Sequence, residues 1–161
     1  MNIFYLDYDL TKCAQYHNNA HVVKMILEHA QLLSSVHHIL DGDRVSDYSA
    51  YGLTHKNHPS AIWARESQEN YMWLYALTEE LHIEYQYRYG SHKVHKSWEV
   101  IKNLPFPFFM ENVGITPFRK AIADERIKAI EDPVESYREY YRVHKRDLAV
   151  WTGRKTPEWW R

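Results

Sequence analysis

Residues 17–38, HNNAHVVKMILEHAQLLSSVHH, decide the fold of this chain. On a helix with about 100° per residue, apolar side chains cover most of the circumference, a pattern that predicts a buried helix over 20–40. Asp41 and Gly42 then end it. One narrow polar stripe interrupts the apolar surface, and its members are His17, His21, Lys24, Glu28, Gln31, Ser35 and His38.

The polar stripe has two explanations. It can be a solvated face of a helix that is packed on two sides, or it can line an interior polar site. A solvated face normally carries several Lys and Glu, whereas this one is rich in His, Gln and Ser, and this favours the interior site. Buried His, Lys and Glu must then pair with one another, with water, or with a ligand or metal. His29 and His37 lie on the apolar side, where hydrogen-bonded core histidines are expected.

Four stripe residues form the predicted reactive centre: His17, His21, Lys24 and Glu28. The spacing of His17 and His21 by four residues places two imidazoles on one helical face, a geometry that suits a divalent metal such as zinc or iron. Glu28 lies two turns further along, the pair Asn18-Asn19 can interrupt the helix between the histidines, and no H-E-x-x-H motif is present. The metal-free alternative is acid–base chemistry by the Lys24–Glu28 pair, with a histidine as proton shuttle.

Composition is that of one soluble globular domain. The chain has 161 residues, 45% hydrophobic and 25% charged, with a formal net charge of −1. It contains neither G-x-G-x-x-G nor a Walker A loop, which removes the two common phosphate-binding loops. One cysteine, Cys13, excludes an internal disulfide. No stretch approaches the roughly 18 apolar residues of a membrane span, and the first residues lack a signal-peptide pattern, so we expect a cytoplasmic protein without a membrane partner.

The fold predicted from helix and turn signals is mainly α, a single compact domain of five to six helices with a short N-terminal extended segment. Pro59 begins a second long helix that runs to about Tyr89, where Gly90 stops it. Asp132 and Pro133 begin a last helix that reaches about Trp151. The expected non-helical parts are the extended segment 1–9, the long loops 41–58 and 104–117, and the extended tail 152–161.

Further polar and aromatic residues are candidates for substrate binding. Trp63, Arg65 and Asn70 belong to the second long helix, where hydrogen bonding between helices is the alternative to ligand contact. Residues 138–161 carry seven Lys or Arg against three Asp or Glu, and basic residues mixed with aromatics suit phosphates and stacked bases. A solvated basic helix end is the alternative there. The candidates from this region are Tyr141, Lys145 and Arg154.

Several longer stretches resemble a family of small uncharacterised helical proteins encoded by tailed bacteriophages. They are CAQYHNNAHVVKMILEHAQLLSSVHHILDGD, THKNHPSAIWARESQENYMWL, EYQYRYG, YREYYRVHKRDLAVW and RKTPEWW. The resemblance covers most of the chain and implies a phage-encoded, soluble protein in the cytoplasm of an infected host cell. It carries over no catalytic residues. Within EYQYRYG, the spacing of Glu84 and Arg88 predicts an ordinary helix salt bridge. The alternative is that this pair lines a pocket together with Tyr85 and Tyr89.

These observations favour a small enzyme that acts on a nucleotide or nucleic-acid base by hydrolysis or glycosidic-bond chemistry. The alternative is a non-catalytic protein that binds a nucleotide or a host factor and counters host defence. A third, purely structural interpretation requires a fully solvated stripe. A near-neutral chain argues against a dominant role in non-specific DNA binding. The sequence leaves the oligomeric state open.

Overall fold

A computed structural model describes all 161 residues, and it contains helices and loops but no strand. The mainly α fold in one compact domain is therefore confirmed. The number of helices is larger than expected, because several are short. The seven α-helices are α1 Leu10–Tyr16, α2 Asn19–Leu40, α3 Pro59–Ala64, α4 Gln68–Tyr89, α5 Lys96–Lys102, α6 Glu125–Lys128 and α7 Pro133–His144, and two 3₁₀ helices cover Gly42–Asp47 and Arg146–Leu148.

Helix α2 is the centre of the structure. Asn18 caps its start, where the side-chain oxygen accepts a hydrogen bond of 2.9 Å from the backbone N–H of His21. The helix packs against α3, α4 and α5, and side chains such as Val22, Ile26 and Leu33 are fully buried in the core. As its apolar circumference predicts, α2 is enclosed by other elements over most of its length.

The second long helix is broken in two, so the prediction of one continuous helix is wrong at residues 65–67. Helix α3 ends at Ala64, and Ser67 caps α4 by accepting a hydrogen bond of 3.1 Å from the backbone N–H of Asn70. A serine hydroxyl competes with the helical hydrogen bonds in this way and favours a new start over continuation. Pro59 at the beginning and Gly90 at the end, with φ of 128°, do act as expected.

The last helix is also shorter than predicted. Helix α7 ends at His144, and the chain continues through Lys145 into the short 3₁₀ helix instead of reaching Trp151. Residues 104–124 contain no helix, in keeping with Pro105, Pro107 and Pro117 along that stretch. No helix of the structure has the length and apolar character required to cross a membrane.

Contacts between the two ends of the sequence position the site described below. The Tyr137 hydroxyl of α7 donates a hydrogen bond of 2.8 Å to the side chain of Asn2, and Arg138 Nε donates one of 2.9 Å to the carbonyl of Leu6. Further along, the indole N–H of Trp151 donates to the carbonyl of Tyr16 at 2.8 Å. The N-terminal segment therefore lies against α7, and the C-terminal tail lies across the end of α1.

Candidate functional site

One small cleft brings together three of the four residues of the predicted reactive centre, His21, Lys24 and Glu28. It also includes Lys145, which the sequence offers as a phosphate ligand. The cleft has a volume of about 130 Å³ and lies between α2, the N-terminal segment and the end of α7. Its complete lining is Met1, Asn2, Phe4, His21, Lys24, Met25, Glu28, Tyr140 and Lys145.

Glu28 is the fixed acid of the cleft. Its Oε2 accepts a hydrogen bond of 2.9 Å from the backbone N–H of Asn2, and the amino group of Met1 lies 3.8 Å from the same oxygen. Lys24 Nζ lies 3.4 Å from Oε1, one helical turn away. The Glu28 side chain is 11% exposed and that of Lys24 is 66% exposed. The carboxylate is thus held in place, while the ammonium group can move toward a ligand.

Lys145 places a second ammonium group at the cleft. It caps the end of α7 and lies with its Nζ 5.3 Å from the centre of the Tyr140 ring. With Lys24 on the opposite helix, the cleft has two lysines against the single carboxylate of Glu28. This surplus of positive charge suits an anionic group, for which lysine is a common point-charge ligand.

His21 lies at the base of the cleft and is almost completely buried. Its Nδ1 shares a hydrogen bond of 2.6 Å with the hydroxyl of Tyr141, and its ring stacks on Phe4. Burial, followed by the nearby charges of His17, Lys145 and Lys24, lowers the pKa of His21 to about 3. The imidazole is therefore neutral near pH 7 and acts as a support for the cleft.

His17 does not line the cleft, and the chain is interrupted between His17 and His21 at Asn18, where the sequence indicates a possible break. His17 ends α1, and the Asn18 cap separates it from α2. Its Nδ1–H donates a hydrogen bond of 2.7 Å to the carbonyl of Cys13, and its Nε2 is buried without a partner. No group of three or more His, Cys, Asp or Glu side chains is placed to hold a metal ion. The predicted metal pair thus has no third protein ligand.

The two histidines on the apolar side of α2 are core residues, as expected. His29 is fully buried and bonds through Nδ1 to the hydroxyl of Thr78 at 2.9 Å. His37 is also fully buried, and its Nε2 lies 2.8 Å from the hydroxyl of Tyr71. Both imidazoles join α2 to α4.

Trp63 and Asn70 hold a loop in place and do not reach the cleft. Asn70 is buried, and its side chain makes three hydrogen bonds. Its Nδ2 donates to the carbonyl of Trp63 at 2.8 Å and to the hydroxyl of Thr116 at 2.7 Å. Its Oδ1 accepts from the backbone N–H of Thr116 at 3.0 Å. The indole N–H of Trp63 donates to the Thr116 carbonyl at 3.2 Å. Arg65 is outside this group and donates to the carbonyl of Lys56. For Asn70, hydrogen bonding within the protein, which was the alternative to ligand contact, therefore applies.

Tyr141 and Arg154 have structural partners as well. Tyr141 is fully buried beneath the cleft, where its hydroxyl meets His21. Arg154 Nη2 donates to Glu84 at 2.8 Å, and Arg88 Nε donates to the same carboxylate at 2.7 Å, so the predicted Glu84–Arg88 salt bridge is confirmed. Arg154 thus fixes the tail on α4, away from the cleft.

Sequence reasoning missed five residues that line the cleft: Met1, Asn2, Phe4, Met25 and Tyr140. No local signal marks them, because the first three belong to an extended segment and meet α7 only after folding. Comparisons with protein-family models, with curated proteins and with solved structures found no match.

Proposed function

We propose that the cleft binds a phosphate or sugar unit of a nucleotide or nucleic acid, and that the protein hydrolyses the glycosidic bond of this substrate. The observation that supports the proposal is the convergence of Lys24, Lys145 and Glu28 on one cleft of about 130 Å³. Two cations beside a fixed carboxylate combine anion binding with acid–base chemistry in a single place.

The size of the cleft limits what it can enclose. Pockets that enclose drug-sized ligands have volumes of about 300–1,000 Å³, and this cleft is smaller. It has room for one phosphate group or one sugar ring, and the rest of the substrate then lies outside it. Tyr140, whose ring is half-buried at the rim, offers a face against which a base can stack.

The proposed reaction uses Glu28 and Lys24 as base and acid. A water oxygen forms a bond to the anomeric carbon while Glu28 takes a proton from that water. The carbon–nitrogen bond breaks, its electron pair leaves with the base, and the Lys24 ammonium group protonates the departing nitrogen. The proton on Glu28 then returns to Lys24 across their separation of 3.4 Å. Both residues regain their initial charge, and the products are a free base and a sugar hydroxyl.

The second candidate is a binding protein without catalysis, and the environment of His21 favours it. This histidine is enclosed by Tyr141 and Phe4 and cannot exchange protons readily with a bound ligand. In that case the cleft sequesters a nucleotide. A bacteriophage origin belongs to both candidates and rests on the resemblance of the sequence motifs. In the second candidate the protein binds a nucleotide or a host factor and so counters host defence.

The direct test is release of free base from nucleoside monophosphates and from single- and double-stranded DNA, measured by chromatography. We expect Glu28→Gln to reduce turnover at least about 100-fold, since one acid–base group typically contributes 10²–10⁴ in rate. Binding of the nucleotide should persist, because both lysines remain. The matched control is Glu99→Gln, which alters an exposed ion pair with Lys102 and should leave turnover unchanged.

The outcomes separate the two candidates. If the wild-type protein binds a nucleotide but releases no free base, the sequestering protein is the correct candidate and the enzyme is excluded. Binding that survives the joint replacement Lys24→Gln and Lys145→Gln would exclude the cleft as the site for either candidate. Base release that survives Glu28→Gln would exclude the proposed acid–base pair.

A further inference from the structure

A second and larger cleft lies at the other end of α2. It has a volume of about 470 Å³, within the range typical of small-molecule sites. One wall is the 3₁₀ helix Gly42–Asp47 with Tyr48, and the other is the proline-rich segment 105–109. Asp41 lies 13 residues after Glu28, roughly 20 Å along the helix axis at 1.5 Å per residue. The second cleft is therefore separate from the one that holds Glu28.

Aromatic rings cover much of this second cleft. Phe106 and Phe108 pack against each other, with ring centroids 4.6 Å apart, yet their side chains are 42% and 84% exposed. Phe109 and Tyr48 both set their rings edge-on to His37, with centroid distances of 5.4 and 5.3 Å. Four aromatic rings around one opening make an unusually apolar and polarisable surface for a position in contact with water.

Buried and partly buried hydrogen bonds support both walls of the cleft. His37 lies between the hydroxyls of Tyr71, at 2.8 Å, and Tyr48, at 3.1 Å. The Tyr48 hydroxyl also donates to the carboxylate of Asp41. On the other wall, Gln68 of α4 donates through Nε2 to the carbonyl of Pro107 at 3.2 Å. The Tyr48 ring and the backbone that carries Phe106 and Phe108 are therefore held before a ligand binds, which reduces the entropy lost on binding.

The charges in the second cleft favour a cation. Asp41 and Asp47 contribute two carboxylates against the one guanidinium of Arg44. Arg44 Nε lies 3.8 Å from the buried carboxylate of Asp41, which leaves the exposed carboxylate of Asp47 as the negative charge available to a ligand. A phosphate group would be repelled here, in contrast to the lysine-lined cleft. Aromatic faces together with carboxylates are the surroundings in which proteins bind substituted ammonium groups.

We propose that this aromatic cleft binds a small organic cation that carries a methyl- or alkyl-substituted ammonium group. The rings of Phe106 and Phe108 contact the substituted head, and the exposed Asp47 carboxylate balances its charge. The proposal does not depend on the function assigned to the lysine-lined cleft, since the two share no residue.

The test is a titration of the isotopically labelled protein with choline, followed by backbone amide chemical shifts. Shifts should concentrate on residues 41–48 and 105–109. The neutral isostere 3,3-dimethyl-1-butanol has the same shape without the charge and should bind more weakly. Replacement of an exposed aromatic partner of a cation is worth about 0.5–1 kcal/mol, so Phe108→Ala should weaken choline binding about two- to fivefold.

Two further variants keep the test decisive. Asp47→Asn removes a charge at an exposed position and should weaken choline binding without affecting the isostere. Glu125→Gln removes the same charge at a position outside this cleft and should change neither. The proposal is overturned if choline fails to saturate the shifts, if the neutral isostere binds as tightly as choline, or if Phe108→Ala and Asp47→Asn both bind like the wild-type protein.

Discussion

The imidazole of His21 lies parallel to the ring of Phe4, with 4.4 Å between ring centroids and 6° between the ring planes. The same imidazole shares a hydrogen bond of 2.6 Å with the hydroxyl of Tyr141. One side chain of α2 thus connects the N-terminal segment to α7 beneath the lysine-lined cleft. The stability of this cleft therefore depends on a buried polar contact between residues that are 120 positions apart.

Replacement of Tyr141 by phenylalanine tests this contact. The change leaves the buried Nδ1 of His21 without a partner, and we expect a loss of about 1–3 kcal/mol in the free energy of unfolding. Urea denaturation measures it. Tyr140→Phe is the matched control, because the Tyr140 side chain is half-buried at the rim, and it should change the stability by less than about 0.5 kcal/mol. Equal effects of the two variants would contradict the proposed role of the contact.

The carboxylate of Glu84 is the second site where one substitution should strongly lower the free energy of unfolding. Burial alone would raise the pKa of Glu84, but hydrogen bonds from Arg154 and Arg88 outweigh this effect and hold the pKa below its ordinary value. Glu84→Gln leaves the fully buried Arg88 side chain without its counterion, and we expect a loss of about 3 kcal/mol or more in unfolding free energy. Thermal and urea unfolding both report it.

The control for Glu84 is the exposed pair formed by Glu99 and Lys102 at 3.0 Å. Exposed ion pairs contribute about 0–1 kcal/mol, so Glu99→Gln should have little effect on unfolding. A similar small effect of Glu84→Gln would show that Arg88 and Arg154 find water or other partners. The contribution of Glu84 should also be lost with acid, as the pH falls below the ordinary glutamate pKa of about 4.3.

Buried histidines predict a broader dependence of stability on pH. Burial lowers the pKa of His17 to about 4 and that of His21 and His29 to about 3. The unfolded chain, with an ordinary histidine pKa of about 6.5, binds protons that the folded protein does not bind. The free energy of unfolding should therefore fall as the pH is lowered below about 6.5. Each histidine adds a slope that approaches about 1.4 kcal/mol per pH unit.

Two variants separate titration from packing in this pH dependence. His29→Gln removes one titrating group and should reduce the slope between about pH 6 and pH 4.5 by up to about 1.4 kcal/mol per pH unit. Thr78→Val removes the hydrogen-bond partner of His29 without removing the group that titrates. It should lower the stability while it leaves the slope close to that of the wild-type protein. A slope unchanged in His29→Gln would contradict the low pKa of this histidine.

The lysine-lined cleft should respond to inorganic phosphate. At constant ionic strength, replacing chloride with phosphate should raise the melting temperature, because a ligand that binds only the folded state stabilises it. The joint replacement Lys24→Gln and Lys145→Gln should abolish this increase. The control Lys93→Gln removes one charge at an exposed position outside the cleft, and the increase in melting temperature should persist in this variant. An equal response in all the variants would indicate a general salt effect.

Local sequence signals predict the helical framework well. The period of 3.6 residues identifies α2, and the residues that start and stop helices, such as Pro59, Gly90 and Pro133, act where expected. These signals depend on neighbours within one or two turns. The break at Ser67 was not predicted, since serine is compatible with a helix interior and becomes a cap only when the chain changes direction.

The candidate site is less accessible to sequence reasoning. The stripe on α2 does identify His21, Lys24 and Glu28, because one helix face is a local property. Asn70 has the same polar character, yet Thr116, 46 residues away, takes up its hydrogen-bonding groups. Which buried polar groups remain available to a ligand is therefore decided by tertiary contacts, and a sequence pattern does not show them.

The lysine-lined cleft is built from the first residues of the chain, the middle of α2 and the residue that follows α7. During synthesis at about 5–20 residues per second, Lys145 is added roughly 6–23 s after Glu28. Until then the growing chain has its acid but lacks its second lysine, and the N-terminal segment has no α7 to pack against. Any activity at this cleft therefore begins only after α7 and Lys145 have left the ribosome.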